Sequence, residues 1–97
     1  MNITAQELKE RIDKFDRFLL IDVRDPHEYS SHNLGGLLIP LRKLSGRIHE
    51  IEEWKNEEVV LLCRKGPRSE EAQKYLVSEG FTNVKYVKGG LEEYNQL

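Results

Sequence analysis

Two short apolar runs constrain this chain more than anything else in it. Phe18 to Val23 is apolar except for Asp22, and Val59-Val60-Leu61-Leu62 is unbroken. Their length and β-branched content read as strands rather than helices. A strand with no polar alternate has no solvent face, so it must be covered on both sides. Helical patterns lie before, between and after the two runs. Strands alternating with helices in so short a chain predict an α/β fold with a parallel sheet covered on both faces.

Taken in order, Asn2-Ile3 reads as a short strand and Thr4-Ala5-Gln6-Glu7 as a capping box. Ala5, Leu8, Ile12 and Phe15 recur at helical spacing, so Ala5 to Lys14 is expected to dock one face on the core. Asp25-Pro26 starts a helical turn through Tyr29. A loop from His32 carries Gly35-Gly36 and leads to a short strand, Leu37 to Ile39, stopped by Pro40. Leu44, Ile48 and Ile51 predict a second helix, with Trp54 near its end as a packing anchor. After the Val59 strand, a helix carrying Ala72, Tyr75 and Leu76 ends at Gly80. Asn83 to Val87 is a last strand and Gly90 to Asn95 a terminal helix. Ninety-seven residues suit one core, so residues 1–97 are read as a single domain.

The second apolar run ends at the only cysteine of the chain, within Cys63-Arg64-Lys65-Gly66-Pro67-Arg68-Ser69. Ser69-Glu70-Glu71 has the composition of a helix start, with Ser69 as N-cap. A tight turn from a strand end into a helix can aim successive backbone N–H groups inward and form an anion cradle. A cysteine at its mouth, beside Arg64, Lys65 and Arg68, sits in positive potential that favours thiolate over thiol. Gly66 permits a positive φ, and Pro67 has no N–H to leave unpaired. A strand-end cysteine with a solvated basic turn is the alternative. Three cations and a glycine directly after the thiol favour a nucleophile site, Cys63, with Arg64 to Ser69 as its binding loop.

In open parallel sheets ligands lie beyond the carboxyl ends of the strands. Asp22 and Arg24 end the other apolar run, so they reach the same edge. Asp22, inside an apolar strand, is expected to be a buried acceptor for loop N–H groups. Arg24 has two readings, anion binding beside the thiolate or a structural pair, and the second is preferred because an arginine beside acids is usually paired. Glu28 is expected to be a structural partner, and His27 and His49 surface residues. No histidine has the spacing to a second ligand that would suggest zinc. One cysteine excludes an internal disulfide framework and fits a reducing cytoplasm. A net charge of −2 gives no reason to expect nucleic acid as a partner. No apolar stretch approaches the ~20 residues needed to cross a bilayer, and the amino-terminus lacks a signal-peptide layout, so no membrane partner is expected.

The loop from Cys63 to Ser69 resembles the active-site loop of the rhodanese-like (thiosulfate sulfurtransferase) family. Ile21-Asp22-Val23-Arg24-Asp25-Pro26-His27-Glu28-Tyr29 is similar to a second family segment, and Lys88-Gly89-Gly90-Leu91-Glu92-Glu93-Tyr94 to a third. Leu34 and Leu38 depart from the family pattern in the loop after His32. The resemblance implies a rhodanese fold with five short parallel strands. It also implies a sulfur relay: Cys63 takes a sulfane sulfur from a small anionic donor such as thiosulfate, holds it as a persulfide, and yields it to cyanide, a thiol or a protein cysteine. Arg64, Lys65 and Arg68 would complement donor charge, and no metal or organic cofactor is required. Two other readings stand beside this one, a cysteine phosphatase of the same fold and a redox-sensing or protein-interaction module. Four residues separate Cys63 from Arg68, one fewer than in the phosphatase loop.

Overall fold

The computed structural model describes residues 2–97; Met1, included in the single-domain and amino-terminal readings, lies outside them. Four parallel strands form one sheet: β1 (Leu19–Asp22), β2 (Leu37–Leu38), β3 (Val59–Leu62) and β4 (Val84–Tyr86), in the order β2-β1-β3-β4. β1 and β3 occupy the centre and pair along their whole length, from Leu19 opposite Val59 to Asp22 opposite Leu62. That register brings the ends of both apolar runs level at the carboxyl edge.

The expected fifth strand is reduced to one residue. Ile3 makes a single parallel bridge to Val87, donating to Tyr86 O at 3.1 Å and accepting from Lys88 N at 2.8 Å. Thr4 then caps α1 (Ala5–Asp13) with both halves of the capping box in place, so the chain turns helical before a strand can lengthen.

Alternation along β3 divides the core between two faces. Val59, Leu61 and Cys63 join the cluster that includes Ile21, Leu44, Ile51, Ala72 and Leu76, beneath α3 (Leu44–Arg47) and α4 (Pro67–Ser78). Val60 and Leu62 join Ile3, Leu8 and Leu91 beneath α1 and α5 (Gly90–Tyr94). All four residues of β3 are fully buried, as an uninterrupted apolar strand requires. Among the described residues no helix is long and apolar enough to cross a membrane.

Two sequence expectations fail locally. Phe15 does not dock with Leu8 on the core; it is 93% exposed. α1 ends at Asp13 with Lys14 as its cap, and Phe15 adopts φ +57°, the left-handed turn that terminates a helix and swings its side chain outward. The second helix is not continuous either. Leu41–Lys43 and Ile48–Trp54 are 3₁₀ segments on either side of the one-turn α3, and Ile51 has non-helical φ/ψ of −119° and 15°. Gly46 within it and Pro40 before it weaken a regular helix, while Leu44 and Ile51 still reach the core. Trp54 packs against that core, with the Arg17 guanidinium 4.5 Å from its ring centroid.

α2 (Pro26–Ser31) begins at Asp25 with a capping box closed by Glu28. α5 is brought up behind the cysteine loop by Gly90, at φ +61°. A Cβ there would lie 2.5 Å from Cys63 O and 2.6 Å from Arg64 O, so Gly90 is what allows this close approach. Leu91 N then donates to Cys63 O and Glu92 N to Arg64 O, each at 2.9 Å.

At the opposite, amino-terminal edge of the sheet, Glu58 accepts from Arg11 Nη1 at 2.6 Å, from Arg11 Nη2, and from Lys85 Nζ at 2.7 Å. The Arg11 hydrogen bond is the main cause holding the Glu58 carboxyl at about 2, against desolvation. A carboxylate whose folded value is depressed stabilises the fold fully above its ordinary value of 4.5, and that stabilisation is lost as pH falls toward about 2. Glu58→Gln is therefore expected to lose about 1–2 kcal/mol at neutral pH, with the difference from the parent shrinking below about pH 4.5; denaturant midpoints from pH 7 to pH 3 measure it. Gly90→Ala is expected to lose about 2–4 kcal/mol through backbone overlap and strain, seen as a melting temperature lower by about 10 to 20 °C.

Candidate active site

β3 delivers Cys63 to the carboxyl edge, and alternation turns its side chain to the α4 face. There the chain must reverse into α4 within three residues. Gly66 does this at φ +132° and is the N-cap, with Pro67 at the first helical position. The helix thus starts before Ser69, which is not the N-cap that its composition suggested but a residue of the first turn. Pro67 is the missed signal, since its fixed φ and absent N–H suit the first helical position. Being inside the helix, Ser69 directs its own N–H toward the sulfur.

Cys63 Sγ accepts from Gly66 N at 3.0 Å and from Ser69 N at 3.4 Å. The side chain is 1% exposed and touches the hydrophobic cluster, yet the following amides aim at the sulfur instead of away from it. A shallow cavity of about 280 Å³, lined by Cys63, Arg64, Lys65, Pro67 and Arg68, opens above it. Ser69 is fully buried, and its Oγ has no hydrogen-bond partner among the described residues. A thiol with two converging N–H donors and an unused hydroxyl at hand is equipped to hold a further polarizable or anionic atom.

The loop cations divide. Arg68 is bidentate to Glu28, Nη1 to Oε1 at 2.7 Å and Nη2 to Oε2 at 3.1 Å. That pair is the main cause holding the Glu28 carboxyl at about 2, and it raises the Arg68 guanidinium further, with the Cys63 charge contributing. Arg64 Nε lies 3.4 Å from Glu92 Oε2 on the exposed rim. Lys65 is exposed, with no carboxylate in ion-pair range among the described residues. The three cations therefore do not form a free positive ring. Glu28 is a structural partner as its place in the sequence suggests, whereas Glu92 has no local signal, and the partnership of either with a loop arginine spans too much sequence to read from spacing.

Arg24 and Asp22 behave as a buried structural pair. Asp22 Oδ1 accepts from Arg24 N at 3.1 Å and from Nε at 3.0 Å, and Oδ2 accepts from Nη2 at 2.8 Å. Arg24 Nη2 also donates to His32 O at 2.6 Å, and Nη1 to Glu28 O at 3.4 Å. The guanidinium thus ties α2 to the end of β1 and fixes the position of Glu28. His32 Nε2 lies 3.2 Å from Asn95 Oδ1, joining α2 to α5. Asp25, His27 and Glu28 place ligand atoms within 4.8 Å of one another. Both carboxylates there are already engaged, Asp25 by Arg42 at 2.9 Å and Glu28 by Arg68.

Comparison with known proteins agrees with this architecture. The rhodanese-like domain family matches residues 4–97. The chain is 34% identical over 107 residues to the adenylyltransferase and sulfurtransferase MOCS3 of Arabidopsis thaliana, covering 95% of this chain and 23% of that protein. It is 32% identical over 90 residues to a sulfurtransferase of Allochromatium vinosum, covering 92% of this chain and 82% of that one. It spans less than half the length of several curated relatives, the Arabidopsis protein included. The crystal structure of a rhodanese-like domain protein from Staphylococcus aureus superposes with a TM-score of 0.87 at 27% identity, covering 97% of this chain and 91% of that one. With a family match across almost the whole chain and the same fold in solved relatives, this protein belongs to the rhodanese-like domain family.

Proposed function

We propose that the chain is a sulfurtransferase in which Cys63 carries one sulfur atom as a persulfide. The observation that carries this reading is the convergence of Gly66 N and Ser69 N on Cys63 Sγ at the head of α4. Two relatives named as sulfurtransferases, at about one-third identity, support it.

In the first half-reaction the Cys63 thiolate forms a bond to the outer sulfur of the donor. With thiosulfate as donor, the sulfur–sulfur bond inside it breaks and its electron pair leaves on sulfite. The new terminal sulfur lies about 2 Å from Sγ, within the cradle, where the amide N–H groups and the unpartnered Ser69 hydroxyl are available as donors. In the second half-reaction a thiophilic acceptor attacks that terminal sulfur, and the electron pair of the broken bond returns to Sγ. Cyanide becomes thiocyanate; a thiol or protein cysteine becomes a persulfide. The two halves are ping-pong covalent catalysis, and the transfer needs neither a metal nor an organic cofactor. The loop geometry favours sulfur over phosphate, because the arginine that would grip a phosphate is held by both oxygens of Glu28. Repeated turnover, in place of a single oxidation event, distinguishes the enzyme from a redox sensor.

Intact-protein mass spectrometry after incubation with thiosulfate is expected to show the gain of one sulfur atom, removed by cyanide and absent in Cys63→Ser. Release of phosphate from an aryl phosphate without any sulfur gain would instead identify a phosphatase. Ser69→Ala is expected to leave the melting temperature nearly unchanged, because the hydroxyl has no partner to lose. The same variant should slow sulfur loading by about three- to ten-fold, the worth of one hydrogen bond. Equal loading rates in parent and variant would show that the hydroxyl does not serve the terminal sulfur.

A further inference from the structure

The end of α1 carries a strain that nothing within one chain relieves. Lys14 caps the helix; Phe15 N then donates to Ile12 O at 3.0 Å and Asp16 N to Arg11 O at 3.1 Å. These paired bonds close a helix through one left-handed residue, a place that glycine ordinarily fills. Here it holds a phenylalanine at φ +57°, with the side chain 93% exposed. A bulky residue is strained in that region, and a ring left in water recovers none of the strain by burial. The Arg11–Asp16 ion pair, at 3.2 Å, secures the turn and keeps the ring turned outward.

Phe15 stands at the rim of an open hollow of about 440 Å³, whose walls include Ile12, Phe18, Leu20, Leu34 and Leu37. Gly35 and Gly36 border it and add no side chain to fill it. One face thus presents an apolar projection and, beside it, an apolar recess. A twofold axis satisfies both at once, each ring entering the recess of the other copy. The charges around Phe15 have the same symmetry. Laid antiparallel on itself about position 15, the exposed segment Asp13-Lys14-Phe15-Asp16-Arg17 sets Lys14 against Asp16 and Asp13 against Arg17. Every such pair is of opposite sign. Lys14 has no carboxylate in ion-pair range among the described residues, and Asp13 and Arg17 are held only by exposed contacts of 3.6 and 3.7 Å. Contacts of that kind contribute little and exchange readily.

We propose that this face is a self-association surface: two copies of the chain pair about a twofold axis near Phe15, each ring filling the recess between Ile12, Leu34 and Leu37 of the other. The hollow adjoins Leu19 and Leu37, the residues that open β1 and β2, so it lies at the amino-terminal edge of the sheet. Cys63 follows β3 at the carboxyl edge, and pairing through Phe15 leaves both cysteine loops uncovered. The inference is therefore independent of what Cys63 carries. A few apolar side chains with a ring of exposed charges make a small interface, so association is expected in the range of about 10–100 µM.

Sedimentation velocity on the unaltered protein from about 5 to about 500 µM spans that range, and the weight-average mass is expected to climb from one chain toward two. Phe15→Gly is expected to stay monomeric throughout. Its melting temperature at about 5 µM should be no lower than the parent's, because glycine takes φ +57° without strain. Lys14→Glu sets like charges together at two symmetric places and should weaken association about ten-fold. An unaltered protein that is still monomeric at about 500 µM overturns the second copy as occupant and leaves the recess to a different chain. A Phe15→Gly variant that still pairs, or that melts below the parent at low concentration, overturns the role given to Phe15. Lys14→Glu associating as tightly as the parent overturns the twofold register.

Discussion

Two peptide N–H groups meeting one sulfur atom is the contact that the rest of the molecule is built to hold. Gly66 N and Ser69 N reach Cys63 Sγ only because the chain turns from β3 into α4 in three residues, and that turn needs φ +132° at Gly66. The turn is braced from below and behind. β3 is locked between β1 and β4 with every side chain buried, so the position of Cys63 is set by the most rigid part of the fold. Behind it, the first turn of α5 binds the carbonyls of Cys63 and Arg64, an approach that only a glycine at position 90 permits. The loop oxygens are thereby satisfied on one side while the loop amides remain directed to the other. That division gives a short loop a concave, donor-rich face.

Charge at this edge is arranged in matched pairs, with different tasks for each. Asp22 and Arg24 are buried, and their mutual hydrogen bonds with the α2 carbonyl groups make them a clamp between β1 and α2. Removing one partner would strand a buried charge, so this pair works as a unit. Glu28 and Arg68 join α2 to α4 across the mouth, half-buried and bidentate. Arg64 and Glu92 are exposed, and their single contact contributes little to stability. The amino-terminal edge carries Arg11, Glu58 and Lys85, an ion-pair group of similar strength far from the cysteine. Strong pairing is therefore not peculiar to the functional edge. What distinguishes that edge is the combination of pairing with amides left free to face a thiol.

The sequence carried the central strands, the cysteine and the glycine turn because each has a local signature. Val59-Val60-Leu61-Leu62 is too short for a core helix and too apolar for an exposed strand, and Cys63-x-x-Gly66-Pro67 punctuates its end. Features decided by a single residue at an element boundary were harder. Ser69 has the composition of an N-cap, but Pro67 had already started the helix, placing Ser69 inside the first turn. Phe15 completes the apolar spacing of α1 on paper, yet the helix stops two residues earlier and the ring faces solvent. Asn2-Ile3 was long enough for a strand only until Thr4 capped the next helix. The partners of the loop arginines were not legible at all. Glu28 is 40 positions from Arg68, and only the packing of α2 beside α4 makes them neighbours.

Burial of Cys63 is compatible with the proposed role as a carrier. A thiol that is 1% exposed sits beyond the reach of most bulk reagents, and a structural cysteine would look the same by accessibility alone. The surroundings separate the two cases. An inert core cysteine has apolar neighbours on every side, whereas this one has apolar neighbours below and two N–H donors above. Burial in such a pocket excludes water from the sulfur and strengthens the attraction of the amide dipoles for negative charge. In the proposed persulfide the transferred atom lies about 2 Å beyond Sγ. The anchoring sulfur can then stay shielded while the reactive one is presented to its acceptor. A carrier that must hold sulfur without losing it to solvent, and release it to a thiol that docks at the mouth, is served better by this depth than by full exposure.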